Sequence, residues 1–316
     1  MRSVAPPEKP DDEYDDGDYD EFSYFGENLR EWGLTARVPV VRRFFVAVDG
    51  LRQLSGLAWG DEPYRLALVH GGGQNAHTFD TVALALERPL VAIDLAGHGH
   101  SDPAPFSHRD LARHGDDLIG ALEKLVEPPC ALVGMSLGGL CSIVVAAKRP
   151  DLVSRLVLID ITPGVTAEKA RHVTDFVNGP ATFDSFDELL ARTIAHNPTR
   201  SESSLRRGIL HNARRRRDGT WVWRHQQSPE ASFDAPDVAD LWATLRLVRV
   251  PVALVRGMAP GSVVDDDDEA AFVDAQPRAS VVHVDGAGHS IQGDQPLELA
   301  TALENLCFPS SGALPS

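Results

Sequence analysis

The chain has 316 residues, 43% of them hydrophobic and 24% charged, and a formal net charge of −16, a size that suits one large α/β core with an insertion. An acidic balance with a single short basic run at residues 214–217 argues against nucleic-acid binding. Cys130, Cys141 and Cys307 show no pairing pattern, no stretch has bilayer length, and no apolar signal core opens the chain, so the expectation is a cytoplasmic protein with buried thiols and no membrane partner.

Residues 1–22 form the first distinct segment, with Pro6 and Pro7 followed by an acidic run over 11–21. So few aliphatics cannot offset the entropy of ordering, which predicts a disordered or partner-dependent arm. Its simplest role is solubilising. Docking on residues 214–217 of a second copy, which would make a homodimer, is the functional alternative.

Arg65-Leu66-Ala67-Leu68-Val69 is a short β-rich run that ends in His70-Gly71-Gly72-Gly73-Gln74. A strand that runs into consecutive glycines exposes backbone N–H groups to a developing oxyanion. Leu90-Val91-Ala92-Ile93-Asp94 is a second buried strand, and the loop 95–102 after it holds His98 and His100. Next, Cys130-Ala131-Leu132-Val133 leads into Gly134-Met135-Ser136-Leu137-Gly138-Gly139 and a helix over 140–148. A serine between glycines at a strand-to-helix corner is a nucleophile elbow, with Ser136 as the nucleophile. The expected oxyanion donors are the N–H groups of Gly72 and Met135.

Leu156-Val157-Leu158-Ile159 is a further strand, ending at Asp160. From Pro163 to about Leu247 the strand–helix rhythm breaks, which marks an inserted, mainly helical cap over 163–247 between core segments 23–162 and 248–316. Within it, Ser185 and Glu188 have capping-box spacing, and Phe186, Leu189, Leu190 and Ile194 share one helical face. A second helix is expected from about Ser203 through Asn212 to the arginines, which would coat its solvated end. In Trp221-Val222-Trp223 alternation puts both indoles on one side, either walling a pocket or packing the cap. Beyond the strand 252–256 lies Asp265-Asp266-Asp267-Asp268, whose carboxylates suit a helix's first turn. The last strand, 280–284, leads into Asp285-Gly286-Ala287-Gly288-His289 and places His289 on a loop as the candidate base. No C-x-x-C or H-E-x-x-H spacing argues for a metal, and no cofactor is expected.

Residues 70–74, 94–102, 134–139 and 286–289, in this order, resemble the α/β-hydrolases, specifically the lid-bearing kind that includes esterases, lactonases and meta-cleavage-product hydrolases. The resemblance implies a mostly parallel sheet flanked by helices, with Ser136 and His289 in a catalytic triad. It also makes His98 and His100 hydrogen-bonding residues of a structural turn. In the commonest version of the fold the triad acid follows the strand 252–256, but the loop there lacks the usual Gly-x-x-Asp, and Asp265 comes late. Some members carry the acid one strand earlier, where Asp160 stands, and keep a serine in the later loop, where Ser262 stands. Asp160 is therefore the expected acid and Asp265 the alternative. Gly73, Gln74, Pro163, Trp223 and Ser262 are the expected substrate contacts.

These parts imply a serine hydrolase that cleaves a carboxylic ester or lactone through an acyl-enzyme. The early acid also resembles the lactonases that open zearalenone, so aryl macrolactones form a test class. The same triad supports carbon–carbon cleavage in meta-cleavage hydrolases, and a ligand receptor on this scaffold is the non-catalytic alternative. Dehalogenase and epoxide-hydrolase readings fit less well, because those relatives place aspartate at the elbow.

Overall fold

Apolar runs of four to seven residues set between turns build a central sheet in the computed structural model, which describes residues 13–15, 17, 19–107, 110–226, 238 and 240–309. The strands are β1 (Val41–Ala47), β2 (Gln53–Trp59), β3 (Leu66–Val69), β4 (Leu90–Ile93), β5 (Cys130–Met135), β6 (Val153–Ile159), β7 (Thr182–Phe183), β8 (Ala213–Arg215), β9 (Trp221–Trp223), β10 (Val252–Gly257) and β11 (Ser280–Val284). The helices are α1 (Phe25–Glu31), α2 (Asp80–Leu86), α3 (Leu111–Leu125), α4 (Leu137–Lys148), α5 (Arg171–Val177), α6 (Phe186–His196), α7 (Glu202–Asn212), α8 (Leu241–Leu247), α9 (Asp266–Ala275), α10 (Ile291–Asp294) and α11 (Pro296–Cys307).

The main sheet runs β1-β2-β4-β3-β5-β6-β10-β11. The two pairings that involve β2 are antiparallel and all the others parallel. Every residue of β3, β4 and β5 is buried, as expected of strands covered by helices on both faces. One apolar core packs α3, α4 and α8 against one face, and a second packs α2 and α11 against the other. In a sheet of this kind the carboxyl ends of neighbouring strands open on one rim, and the loops after β3, β5, β6, β10 and β11 meet there.

Between β6 and β10 the chain builds a separate layer with its own small core of Phe183, Leu189, Ile209 and Ala213, joined by Trp221 and Trp223. Two differences from the sequence expectation follow from packing. The layer is mainly helical, as expected, but α5, α6 and α7 are joined by a small three-stranded sheet, β7-β9-β8, and the arginine run belongs to β8 and its turn, not to a helix end. The layer also ends before Leu247. Leu241, Leu245 and Val248 form an apolar stripe that α8 buries in the main core beside α4, so this helix belongs to the body.

The acidic segment also departs from expectation. Residues 1–12, Asp16 and Asp18 lie outside the described residues, but those from Glu13 onward sit on the arginine run of their own chain. Asp15 N–H donates to Arg215 O at 2.9 Å and Arg217 N–H to Glu13 O at 3.1 Å. The Arg214 guanidinium lies 3.8 Å from the centre of the Tyr14 ring. Opposite charge and two tyrosines supply what the segment lacks in aliphatics. Among the described residues, no helix is long and apolar enough to cross a membrane. Cys130 and Cys141 are buried, and burial pushes the Cys130 thiol up to about 12, which leaves it inert at neutral pH.

Candidate active site

The turn from β5 into α4 holds Ser136 at φ 50° and ψ −121°, a conformation that costs an L-residue strain and is maintained only by its surroundings. The glycines around it make the corner close. A Cβ at Gly134 would stand 2.5 Å from Gly138 O, and one at Gly138 would stand 2.4 Å from His70 O. Neither backbone oxygen can retreat without opening the sheet. Gly138→Ala is therefore expected to cost about 1–3 kcal/mol through overpacking. Denaturant unfolding beside the wild type would measure it, and an unchanged midpoint would contradict this reading of the turn.

Asp160, directly after β6, is the second strained residue, at φ 44° and fully buried. Its carboxylate accepts four hydrogen bonds. Oδ1 takes Gly257 N–H at 3.0 Å and Ser262 Oγ–H at 2.6 Å, while Oδ2 takes Val263 N–H at 3.0 Å and His289 Nδ1–H at 2.9 Å. Because a carboxylate only accepts, the last bond places a proton on His289 Nδ1, so the neutral ring carries its lone pair on Nε2. Asp265 lies elsewhere. It caps α9, accepting from Asp268 N–H at 2.9 Å, and pairs with Lys169 at 2.7 Å on a side chain 52% exposed. Its job is helix capping, and it makes no bond to His289.

The glycine loop after β3 is tethered from two sides. His70 is buried, accepts Leu95 N–H at Nε2 (2.9 Å) and donates from Nδ1 to Gly71 O (2.7 Å), and burial lowers its pKa below the ordinary histidine range. His98 accepts Gly73 N–H at Nε2 (3.2 Å) and donates from Nδ1 to Ala96 O (3.1 Å). Both rings are thereby single neutral tautomers that fix the loop's shape. His100 lies in the same turn, its N–H donating to Asp94 Oδ2 at 3.2 Å, and burial lowers its imidazole to about 3. Asp94 anchors the turn. Burial alone would raise its carboxyl, but the Arg43 guanidinium at 2.9 Å outweighs this and holds it at about 2.

Met135 is not placed for the oxyanion role expected of it. It precedes Ser136, closes β5 opposite Ile159, and its sulfur packs beneath Gly71, 2.5 Å from where a Cβ would stand. The amide that follows the nucleophile is that of Leu137, the first residue of α4, where a helical N–H has no intrahelical acceptor. Sequence order by itself tells these two neighbours apart, since Leu137 and not Met135 follows Ser136.

A cavity of about 610 Å³ opens beside these residues, lined in part by Gly72, Gly73, Gln74, Trp223 and His289. Trp223 serves both expected purposes, because its indole also packs edge-on against Phe176 and Phe183, at 5.7 Å each. Pro163 and Ser262, expected as substrate contacts, do not line this cavity. Pro163 is buried in the turn after β6, and Ser262 is spent on Asp160.

A second polar cluster, missed in the sequence because its members lie far apart, borders the same cavity. His77, Asp80 and His211 bring three ligand-type atoms within 4.8 Å of one another. However, His77 already bonds Asp80 through Nδ1 (2.9 Å) and Glu21 through Nε2 (3.1 Å). Its ring stacks on His211 at 3.8 Å and 9°, which sets the in-plane lone pairs side by side, not converging as a metal requires. The cluster works as a latch that joins the N-terminal segment to the body and, through Tyr19 and His211 (2.8 Å), to α7.

Burial alone would lower the His77 imidazole, but Asp80 and Glu21 outweigh it and raise the pKa to about 9. A raised folded-state pKa means that the folded chain binds the extra proton. The stabilisation is complete below the unfolded value of about 6.5 and is lost as pH rises through about 9. Melting between pH 6 and 9.5 should therefore show a steeper loss in the wild type than in His77→Gln. Parallel curves would show that the latch is not charged.

Comparison with known proteins agrees with this architecture. The model of the alpha/beta hydrolase family matches residues 66–302. The chain is 39% identical over 287 residues to esterase Rv0045c of Mycobacterium tuberculosis, covering 89% of this chain and 93% of that protein. A crystal structure of that esterase superposes with a TM-score of 0.76 at 37% identity, covering 92% and 98% of the two chains. The 2-(acetamidomethylene)succinate hydrolase of Mesorhizobium japonicum is 28% identical over 249 residues, 78% of this chain and 88% of the other.

Proposed function

The chain belongs to the alpha/beta hydrolase family, and from that premise we propose that it is a serine hydrolase of carboxylic esters, with Ser136 as nucleophile, His289 as base and Asp160 as the acid that orients it. The observation that carries this reading is the bond from His289 Nδ1 to the buried Asp160, which ends the strand paired with the one that leads into the strained elbow serine. The similarity to a named esterase over nearly the whole chain supports the same chemistry.

In this mechanism His289 Nε2 takes the Ser136 proton as Oγ attacks the ester carbonyl. Asp160 holds the ring in the required tautomer and stabilises the imidazolium that forms. The N–H groups of Gly72 and Leu137 receive the oxyanion, and each such donor is worth about 3–4 kcal/mol of barrier. His289 then protonates the leaving alcohol, and water repeats the sequence in reverse on the acyl-enzyme. The four bonds to Asp160 keep its charge in place through both halves.

Initial rates on acyl esters, on aryl macrolactones including zearalenone and on a vinylogous diketone, each beside Ser136→Ala, test the reading. Serine-dependent turnover of an ester or lactone is the expected result. Turnover confined to the diketone would replace ester hydrolysis by carbon–carbon cleavage. Ligand-induced stabilisation without turnover would point to a receptor.

A further inference from the structure

Three buried or half-buried arginines of this molecule keep carboxylate company, whereas the half-buried Arg200 stands apart. Arg43 pairs with Glu21 and Asp94, Arg207 with Glu31 and Glu27, and Arg256 with Glu269 and Asp266. Arg200 does not. Its Nη2 donates to Ser204 Oγ at 2.8 Å, its Nε is shielded from solvent without an acceptor, and among the described residues no carboxylate stands within ion-pair distance. Burial lowers its pKa below the ordinary arginine value, with Asp294 offsetting part of the loss from further off. A guanidinium partly withdrawn from water without a counter-charge is one that a ligand carboxylate could complete.

Its position says which ligand. Arg200 lines the same cavity as His289, and its guanidinium lies over Gly293, where a Cβ would stand 2.7 Å from Cζ. Gly293 lies in α10, which follows the His289 loop, and Arg200, Gly293 and His289 line the same cavity. Any larger residue at 293 would push the cation away. Of the two carboxylates that act on it from further off, Asp294 is engaged with Gly288 N–H at 2.9 Å and Glu31 with Arg207.

We propose that Arg200 is a substrate-specificity residue that binds a carboxylate at the end of the substrate remote from the scissile ester, so that the preferred substrates are monoesters of dicarboxylic acids. This inference rests on the serine-hydrolase reading of the same site. The net charge of −16 repels anions from the molecule as a whole, so a preference for an anionic ester has to arise locally.

The test compares 4-nitrophenyl hydrogen glutarate with its neutral isostere, the 4-nitrophenyl ester of glutaric acid monoamide. Wild-type kcat/KM should favour the anion by about 10–100-fold, the range expected of a charge-assisted hydrogen bond. The difference should reside in KM, because the contact is equally strong in ground and transition states. Arg200→Met should bring the ratio to about one, and Arg200→Lys should restore part of it. A wild-type ratio at or below one, or a ratio unchanged in Arg200→Met, overturns the proposal. A melt with and without glutarate separates binding from folding: glutarate should raise the wild-type midpoint and leave that of Arg200→Met unmoved. Serine-dependent turnover of both esters at equal efficiency would leave the hydrolase reading standing and remove this one. If neither ester is hydrolysed, the ester and lactone panel still decides the hydrolase reading, and calorimetric binding of glutarate to Ser136→Ala, lost in Ser136→Ala/Arg200→Met, decides the anion site.

Discussion

Replacing Ser136 by alanine is expected to reduce kcat by at least about 10⁴-fold while leaving the fold intact, since loss of a nucleophile removes the covalent route and spares only binding and oxyanion stabilisation. The change is small in space, removing one oxygen from a half-buried side chain at a corner whose packing depends on the glycines around it. The strained backbone remains at φ 50°, so circular dichroism and melting should match the wild type. Active-site titration with a fluorophosphonate should label the wild type and not the variant. Retained turnover, or labelling of Ser136→Ala, would move the nucleophile elsewhere.

Asp160→Asn is expected to lower kcat by about 10⁴-fold, whereas Asp265→Asn should stay close to the wild type. Four hydrogen bonds arrive at the Asp160 carboxylate, three of them from other donors than the histidine. Asparagine keeps the shape but replaces one acceptor oxygen by an N–H₂ group. That either leaves one of those donors unpaired or turns the amide's donor towards His289, which then adopts the wrong tautomer. At Asp265 the same exchange keeps a good helix cap, and the carboxylate it removes is half exposed and paired only with Lys169 and the capping box. kcat/KM on the fastest ester, measured for both variants at one pH, is the readout. If Asp265→Asn lost the larger factor, the acid would have to sit on the later loop.

The order of strands, the elbow serine and the histidine after the last strand were legible because each depends on local chemistry. Runs such as Leu66 to Val69 can only be buried strands, and a serine flanked by Gly134 and Gly138 can only sit at a sharp corner if it is to follow one of them. Asp160 was legible as the residue that ends β6, and Asp265 as an acid in a helix's first turn. Choosing between them needed the bond to His289, because both loops reach the same rim and spacing along the chain carries no distance across it. Leu137 was legible as well, because the donor is the residue that follows the nucleophile, and the expectation of Met135 took the residue before Ser136 instead.

The cap was legible as an interruption of rhythm, but its extent was not. The periodicity of Leu241, Leu245 and Val248 says that α8 buries one face without saying against which layer, and the structure gives that face to α4. The acidic segment from Glu13 onward reads as unable to order itself, which holds for its own aliphatic content. What holds it is the arginine run of the same chain some two hundred positions away, together with Tyr19 and Glu21 at the histidine latch. The local sequence by itself determined the class of fold and the chemistry at the elbow, because strand burial and turn sterics act over a few neighbouring residues. The partner of His289, the seat of the N-terminal segment and the unpaired cation at Arg200 were decided by tertiary structure alone, since hydrogen bonds and ion pairs depend on distances of about 3 Å that the chain sets only once it has folded.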